Sequence, residues 1–136
     1  MTTFHRKLTL RGPVPAKKNQ WAPKAGGGMF LNREAAATID SLIVQARVQW
    51  RKFKAEPLAR AVVHCTFFID NGRADGDNRQ TTILDVLQKA GVIQNDNAKR
   101  LPGASFRCVI QPGCDERTEV EVWEIAAAQA GRRHRE

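Results

Sequence analysis

The chain has 136 residues, 42% of them hydrophobic and 26% charged, with a formal net charge of +8. That length and apolar content suit one globular domain able to bury a core. No apolar run approaches membrane-spanning length, and the opening residues, MTTFHRKLTLRG, lack an apolar signal core, so a cytosolic protein without a membrane partner is expected.

Phe4 to Arg11 reads as a first strand, with Phe4, Leu8 and Leu10 on one side, ended by Gly12, Pro13 and Pro15. The next loop sets Lys17, Lys18, Asn19 and Lys24 around Trp21, followed by Gly26 to Gly28. Lysines that meet phosphate beside an aromatic that can stack on a base make this loop a candidate nucleic-acid contact. A lone Trp after a proline turn is, however, more often packed on the core. Met29 to Leu31 is a candidate short strand, and Asn32 a cap for the next helix. From Arg33 to about Lys54, an apolar stripe of Ala35, Ala36, Ile39, Leu42, Ile43, Ala46, Trp50 and Phe53 predicts the main core helix, with its charges mostly off the stripe. After Pro57, the two alternating sets of a strand at about Arg60 to Ile69 are both largely apolar. Such a strand is expected to be central with both faces covered, and His64 to be a core histidine. Asn71-Gly72 reads as a loop, because no alternating apolar run follows it.

The stretch from Arg73 to Asn97 organises the rest. Asp75 and Asp77 stand just before a segment in which Ile83, Leu84, Leu87 and Ala90 recur at helical steps. The spacing predicts a helix from about Asn78 to Ala90, capped by Asp77 or Asn78 with Gln80 in support, and ended by Gly91 at the C′ position. A third carboxylate, Asp96, lies past the far end and joins the first two only if the chain doubles back. Converging carboxylates repel and need a counter-charge. Mg²⁺, held by carboxylates and substrate phosphate oxygens, is the usual answer, which makes metal-assisted phosphodiester hydrolysis the sharp reading. The plain alternative is turn chemistry, with Asp77 only a helix cap. A calcium loop starting at Asp75 fails: its fifth position is Arg79, its sixth Gln80 in place of glycine, and its twelfth Val86 in place of glutamate.

Lys99 and Arg100 add positive charge after Asp96. Phe106, Cys108 and Ile110 alternate in one strand, residues 112 to 116 make a turn, and Thr118, Val120 and Val122 alternate in the next, which predicts a closing β-hairpin. Cys65, Cys108 and Cys114 are odd in number and unpaired in spacing, and are expected to be reduced and mostly buried; no familiar zinc pattern fits them with His64. The predicted order, β-α-β-α-β-β, is an α+β domain over residues 1–125 with one mixed or antiparallel sheet and helices packed against it. Residues 126–136 form a basic tail expected to be frayed helix or disorder.

Charge is segregated along the chain. Residues 1–54 hold eleven Lys/Arg against Glu34 and Asp40, a balance of +9, whereas residues 55–125 hold eight against eleven, a balance of −3. The tail contributes +2, from Arg132, Arg133 and Arg135 less Glu136. A basic surface beside an acidic cluster suits a metal nuclease, in which cations hold phosphates and carboxylates hold metal.

The D-x-D-N pattern at Asp75 to Asn78, the amphipathic helix ending in glycine and the acidic turn at Asn95-Asp96 resemble the RusA-type Holliday junction resolvases. Gly12 to Asn19, reading GPVPAKKN, is similar to that family's proline-rich turn, and the likeness covers roughly Phe4 to Ile125. The resemblance implies a Mg²⁺-dependent, homodimeric endodeoxyribonuclease that resolves four-way DNA junctions by paired symmetrical nicks in recombination and repair. Asp75, Asp77 and Asp96 fall on the family's metal-binding, catalytic aspartates. Candidate DNA contacts are Lys17, Lys18, Asn19, Arg73, Arg79, Lys99 and Arg100. One departure stands out: Thr81 occupies the place of a lysine, four residues after the second aspartate, expected to stabilise transition-state charge. An alternative is therefore a branched-DNA-binding protein of the same fold with weak or lost cleavage, and a third reading is a basic adaptor without a nucleic-acid substrate.

Overall fold

A computed structural model describes residues 2–15, 21–23, 29–31, 33–53, 56–71, 76–95, 97 and 101–125. Its elements in chain order are β1 (Thr2–Arg11), β2 (Trp21–Pro23), β3 (Met29–Leu31), α1 (Arg33–Arg51), β4 (Ala61–Ile69), α2 (Gly76–Ala90), β5 (Gly103–Ile110) and β6 (Arg117–Ile125). β2 and β3 form a separate two-stranded ribbon, and the other four strands make one mixed sheet in the order β1-β6-β4-β5. The fold is α+β. The predicted tail lies outside the described residues.

Alternation explains the core. Val63, Cys65, Phe67 and Ile69 of β4, Leu8 and Leu10 of β1, and Val120 and Val122 of β6 project to one side of the sheet and are buried. There they meet Ile39, Leu42, Ala46 and Trp50 of α1 and Ile83, Val86 and Leu87 of α2 in a single cluster. Each large side chain so buried contributes about 1.5–3 kcal/mol. Both helices share this side, so the expectation that β4 is covered on both faces is corrected: Val62, His64 and Phe68, on its other face, are only half-buried. His64 is not a core residue, and its Nδ1 lies 2.7 Å from the Ser105 hydroxyl. Phe53 also leaves the predicted stripe, because α1 stops at Arg51. It is 40% exposed, edge-on to Trp50 with ring centroids 6.3 Å apart and with the Arg6 guanidinium 5.4 Å from its own centroid. Of the cysteines only Cys65 is buried; Cys108 is exposed and Cys114 half-buried.

The predicted closing hairpin does not form. β5 pairs parallel with β4, from Val62 opposite Gly103 to Ile69 opposite Ile110, while β6 lies antiparallel between β1 and β4. Burial decides the places: Val120 and Val122 are fully buried, as an inner strand requires, whereas Ala104, Cys108 and Ile110 are exposed, as an edge strand allows. Pro112 and Gly113 do make a turn, with Gly113 at φ +80° and the Cys114 N–H donating to the Gln111 carbonyl at 3.0 Å. That turn belongs to a connection passing the end of β4 to reach its other side.

α2 returns the chain to the level where β4 starts. It closes on Gly91, φ +84°, with the Val92 N–H donating to the Leu87 carbonyl (2.9 Å) and the Gly91 N–H to that of Gln88 (3.2 Å), a Schellman motif. Leu58, just ahead of β4, then brackets Ile93 through Leu58 N–H to the Val92 carbonyl (2.9 Å) and Gln94 N–H to the Leu58 carbonyl (3.0 Å). Arg47 of α1 donates to the Lys89 carbonyl at 3.0 Å, satisfying an orphan acceptor in the last turn of α2.

The end of β1's outer edge, at Thr9 and Arg11, is closed by side chains. The Gln49 amide accepts from the Thr9 N–H (2.9 Å) and donates to the Thr9 carbonyl (2.7 Å); Gln45, one turn earlier, does the same to Arg11 (2.7 and 2.9 Å). No helix among the described residues is long and apolar enough to cross a membrane.

Candidate metal and nucleic-acid site

The candidate site lies where β4 ends and α2 begins, at the carboxyl end of an inner strand. Crossover loops there project away from the sheet and commonly carry ligands. Three chain segments are tied together at this end. Glu116 is the knot: its carboxylate accepts from the Asp70 N–H at 3.1 Å and lies 3.7 Å from Arg79 Nη1, and its carbonyl accepts from the Gly12 N–H at 2.9 Å. The Asp70 carboxylate in turn accepts from the Gly113 N–H. The buried Thr82 hydroxyl donates to the Pro15 carbonyl (2.8 Å), with that of Asn78 at 3.1 Å. So the turn after β1 is pinned at Gly12 and at Pro15, two residues before Lys17. A cleft of about 640 Å³ opens between Arg11–Pro13 on one side and Asp70 and Cys114–Glu116 on the other.

α2 begins at Gly76, two residues earlier than the periodicity implies, which puts Asp77 inside the first turn and not at the cap. A carboxylate there is favoured by the positive end of the helix dipole. Asp75, the residue before the helix, lies outside the described residues, as do Lys17, Lys18, Asn19, Arg73, Asp96, Lys99 and Arg100; of Asp77 only the backbone is described. Among the described residues no group of three or more His, Cys, Asp or Glu could hold a metal.

Arg79 is described, and it is engaged. Its side chain is 16% exposed and held against Glu116, itself 22% exposed. Thr81 is exposed on α2, one turn beyond Asp77.

The flanks of position 96 bear on whether the aspartates meet. Asp77 and Ala90 are separated by about 20 Å of helix axis at 1.5 Å per residue. Gly91 to Gln94 then pack beside Leu58 at the opening of β4 and do not turn back along α2. Asn95 Oδ1 accepts from the Asn97 N–H at 3.0 Å, and the Asn97 carbonyl from the Leu101 N–H at 2.8 Å, two residues before β5 starts opposite Val62. Asn95 and Asn97 therefore stand at the opposite end of α2 from Asp77.

Sequence reading missed Glu116, Asp70 and Thr82. The first two look like ordinary turn acids, and only the crossing connection makes them a knot; Thr82 carried the faint signal of a polar residue between apolar helix positions. No protein-family model matches the chain, and no curated protein matches it.

Proposed function

We propose that this protein is a Mg²⁺-dependent endonuclease that cuts branched DNA, four-way junctions above all, as a homodimer in the cytosol. The observation that carries the reading is the pair Asp75 and Asp77 astride the start of α2, at the carboxyl end of an inner strand, in a chain whose first 54 residues hold a balance of +9. Two carboxylates with hard oxygen donors suit Mg²⁺, which keeps several waters and shares its shell with phosphate oxygens. When bound, the ion supplies an activated water and charge for the phosphorane-like transition state. Lys17, Lys18 and Asn19, which follow the pinned turn at Pro15 in sequence, are the candidate contacts to the DNA backbone, with Arg73, Lys99 and Arg100 as further phosphate contacts. Arg79 positions the first turns of α2 through Glu116 and reaches a phosphate only when that pair opens.

Asp96 completes the site from the second copy of the chain. Its flanks stand about one helix length from Asp77, too far for one ion to bridge within a chain, so this reading requires a two-fold arrangement that sets the loop of one copy against the helix start of the other. A four-way junction has the same symmetry, so two such composite sites nick opposing strands together.

A second reading has its own observation. Thr81 is exposed where a long cation would face the metal-bound phosphate, and the nearest described cation on the helix, Arg79, is occupied by Glu116. On that reading the protein grips branched DNA and cuts it slowly or not at all. Incubating a synthetic four-way junction with Mg²⁺, Mn²⁺ or chelator, followed by native and denaturing gels, separates the outcomes. Metal-dependent symmetrical nicks support the first reading, binding without nicks the second, and no binding overturns both.

A further inference from the structure

The sheet face turned away from the helices carries a second cavity. Val62, His64, Ser105, Trp123 and Ile125 wall a depression of about 430 Å³ near the end where β4 starts. Its parts are held firmly. The Trp123 indole is stacked by His5, with ring centroids 4.8 Å apart and planes 12° from parallel, so it is a braced aromatic plate. His64 is fixed through the 2.7 Å contact of its Nδ1 with the Ser105 hydroxyl. Val62 lies across from Trp123 on the neighbouring strand, and His64 across from Ser105. An aromatic plate, an aliphatic floor and an imidazole-hydroxyl wall together fit a flat heterocycle with hydrogen-bonding groups on its edge.

Charge on the same face says what should be attached to that ring. Both carboxylates of that face already have partners: Glu119 lies 3.4 Å from Lys7 and 3.7 Å from Arg117, and Glu121 lies 3.4 Å from the His5 imidazole. Arg107 stands two residues beyond Ser105 on the same side of β5, about 7 Å along the strand. It is exposed and has no ion-pair partner among the described residues. That spacing is about the reach from a nucleobase to its own phosphate.

We propose that this depression binds one unpaired base of a single-stranded nucleic acid, its ring on Trp123 and Val62, its edge at His64 and Ser105, and its phosphate at Arg107. Bases within a duplex are stacked and cannot enter, whereas a base freed from its stack gains both plate and cation. Val62 and Ile69 are seven residues apart, about 23 Å of strand, so this site is remote from Glu116 and the start of α2 and does not depend on the nuclease reading.

The test titrates the isotope-labelled full chain with a short oligothymidylate, following backbone amide shifts, and measures affinity by anisotropy of the labelled oligomer. Shifts should concentrate at residues 62–66, 103–107 and 123–125, and the same oligomer annealed to its complement should leave those amides unmoved. Trp123→Leu and Arg107→Glu should each weaken binding about tenfold, within the range that loss of one stacked base produces. Arg107 is exposed on an edge strand, so its substitution is informative even if Trp123→Leu loosens β6. The proposal is overturned if the oligomer shifts other surfaces only, if the duplex moves the same amides, or if Arg107→Glu binds with wild-type affinity.

Discussion

Glu116 and Arg79 meet at 3.7 Å, joining the residue before β6 to the second turn of α2, and the same carboxylate holds the Asp70 N–H. One side chain thus ties the end of β4 to the start of α2. Glu116→Gln keeps an acceptor for Asp70 but drops the charge, and for a pair with some solvent access the loss should be about 1 kcal/mol. Glu116→Ala also removes the hydrogen bond to the exposed Asp70 N–H and should lose roughly 1.5–2.5 kcal/mol in all. Urea unfolding of the three proteins checks the order; equal losses would mean that the hydrogen bond contributes nothing.

A composite metal site makes a sharp prediction about mixtures. Asp77→Asn and Asp96→Asn should each abolish metal-dependent cleavage while leaving junction binding intact. Refolded together, copies that pair as proposed would form hybrid dimers in which one site carries both defects and the other none. Such mixtures should recover nicking, mostly in one strand per junction. Silence from the hybrids, with dimers shown by mass, would return all three aspartates to one chain.

Thr81→Lys tests the departure on α2. Thr81 is exposed, and lysine is the better helix former, so folding should be unaffected. If wild-type cleavage is slow, the new cation should raise it about a hundredfold or more, the effect of one transition-state donor. Single-turnover rates on a junction read this directly. An unchanged rate would put the scissile phosphate away from this face.

Cys65 links stability to alkaline pH. Burial alone pushes its thiol from 9.0 up to about 12. The folded state therefore favours the protonated form, and its stabilising effect is complete below pH 9. As pH rises from 9 towards 12 the unfolded chain ionises first, and stability falls by about 1.4 kcal/mol per pH unit. Cys65→Ala, which removes the thiol without adding bulk to the core, should lack this loss. The gap between the denaturant midpoints of the two proteins should change above pH 9; parallel curves would show that the thiol is not kept neutral by the core.

Much of this was legible in the residues. α1 and α2 follow from apolar spacing, and Gly91 from the helix-stop rule, because both are local. β4 was recognisable as an inner strand, yet its second face is half-bare, since Val62 and Phe68 read as buried while the number of helices available to cover them is a tertiary matter. The hairpin expectation failed for a similar reason: a Pro-Gly turn between two strands does not say whether they pair, and the connection at 111–116 crosses the end of β4 instead. The acidic motif was readable as a motif, but its assembly was not, because sequence spacing is blind to Leu58 holding Ile93 beside the opening of β4.

The glutamines of α1 have a consequence for assembly. A sheet grows by adding strands at its edges, and chains with two open edges can stack without limit. Here Gln45 and Gln49 present amides that imitate a neighbouring strand to Thr9 and Arg11, so that end of β1 offers no template. Among the described residues, β5 is the outer strand that no partner covers. Copies joining through β5 would use up both open edges in one step and stop at two. Growth through the Thr9–Arg11 end of β1 is closed to the folded chain, and Gln45→Ala with Gln49→Ala would reopen it.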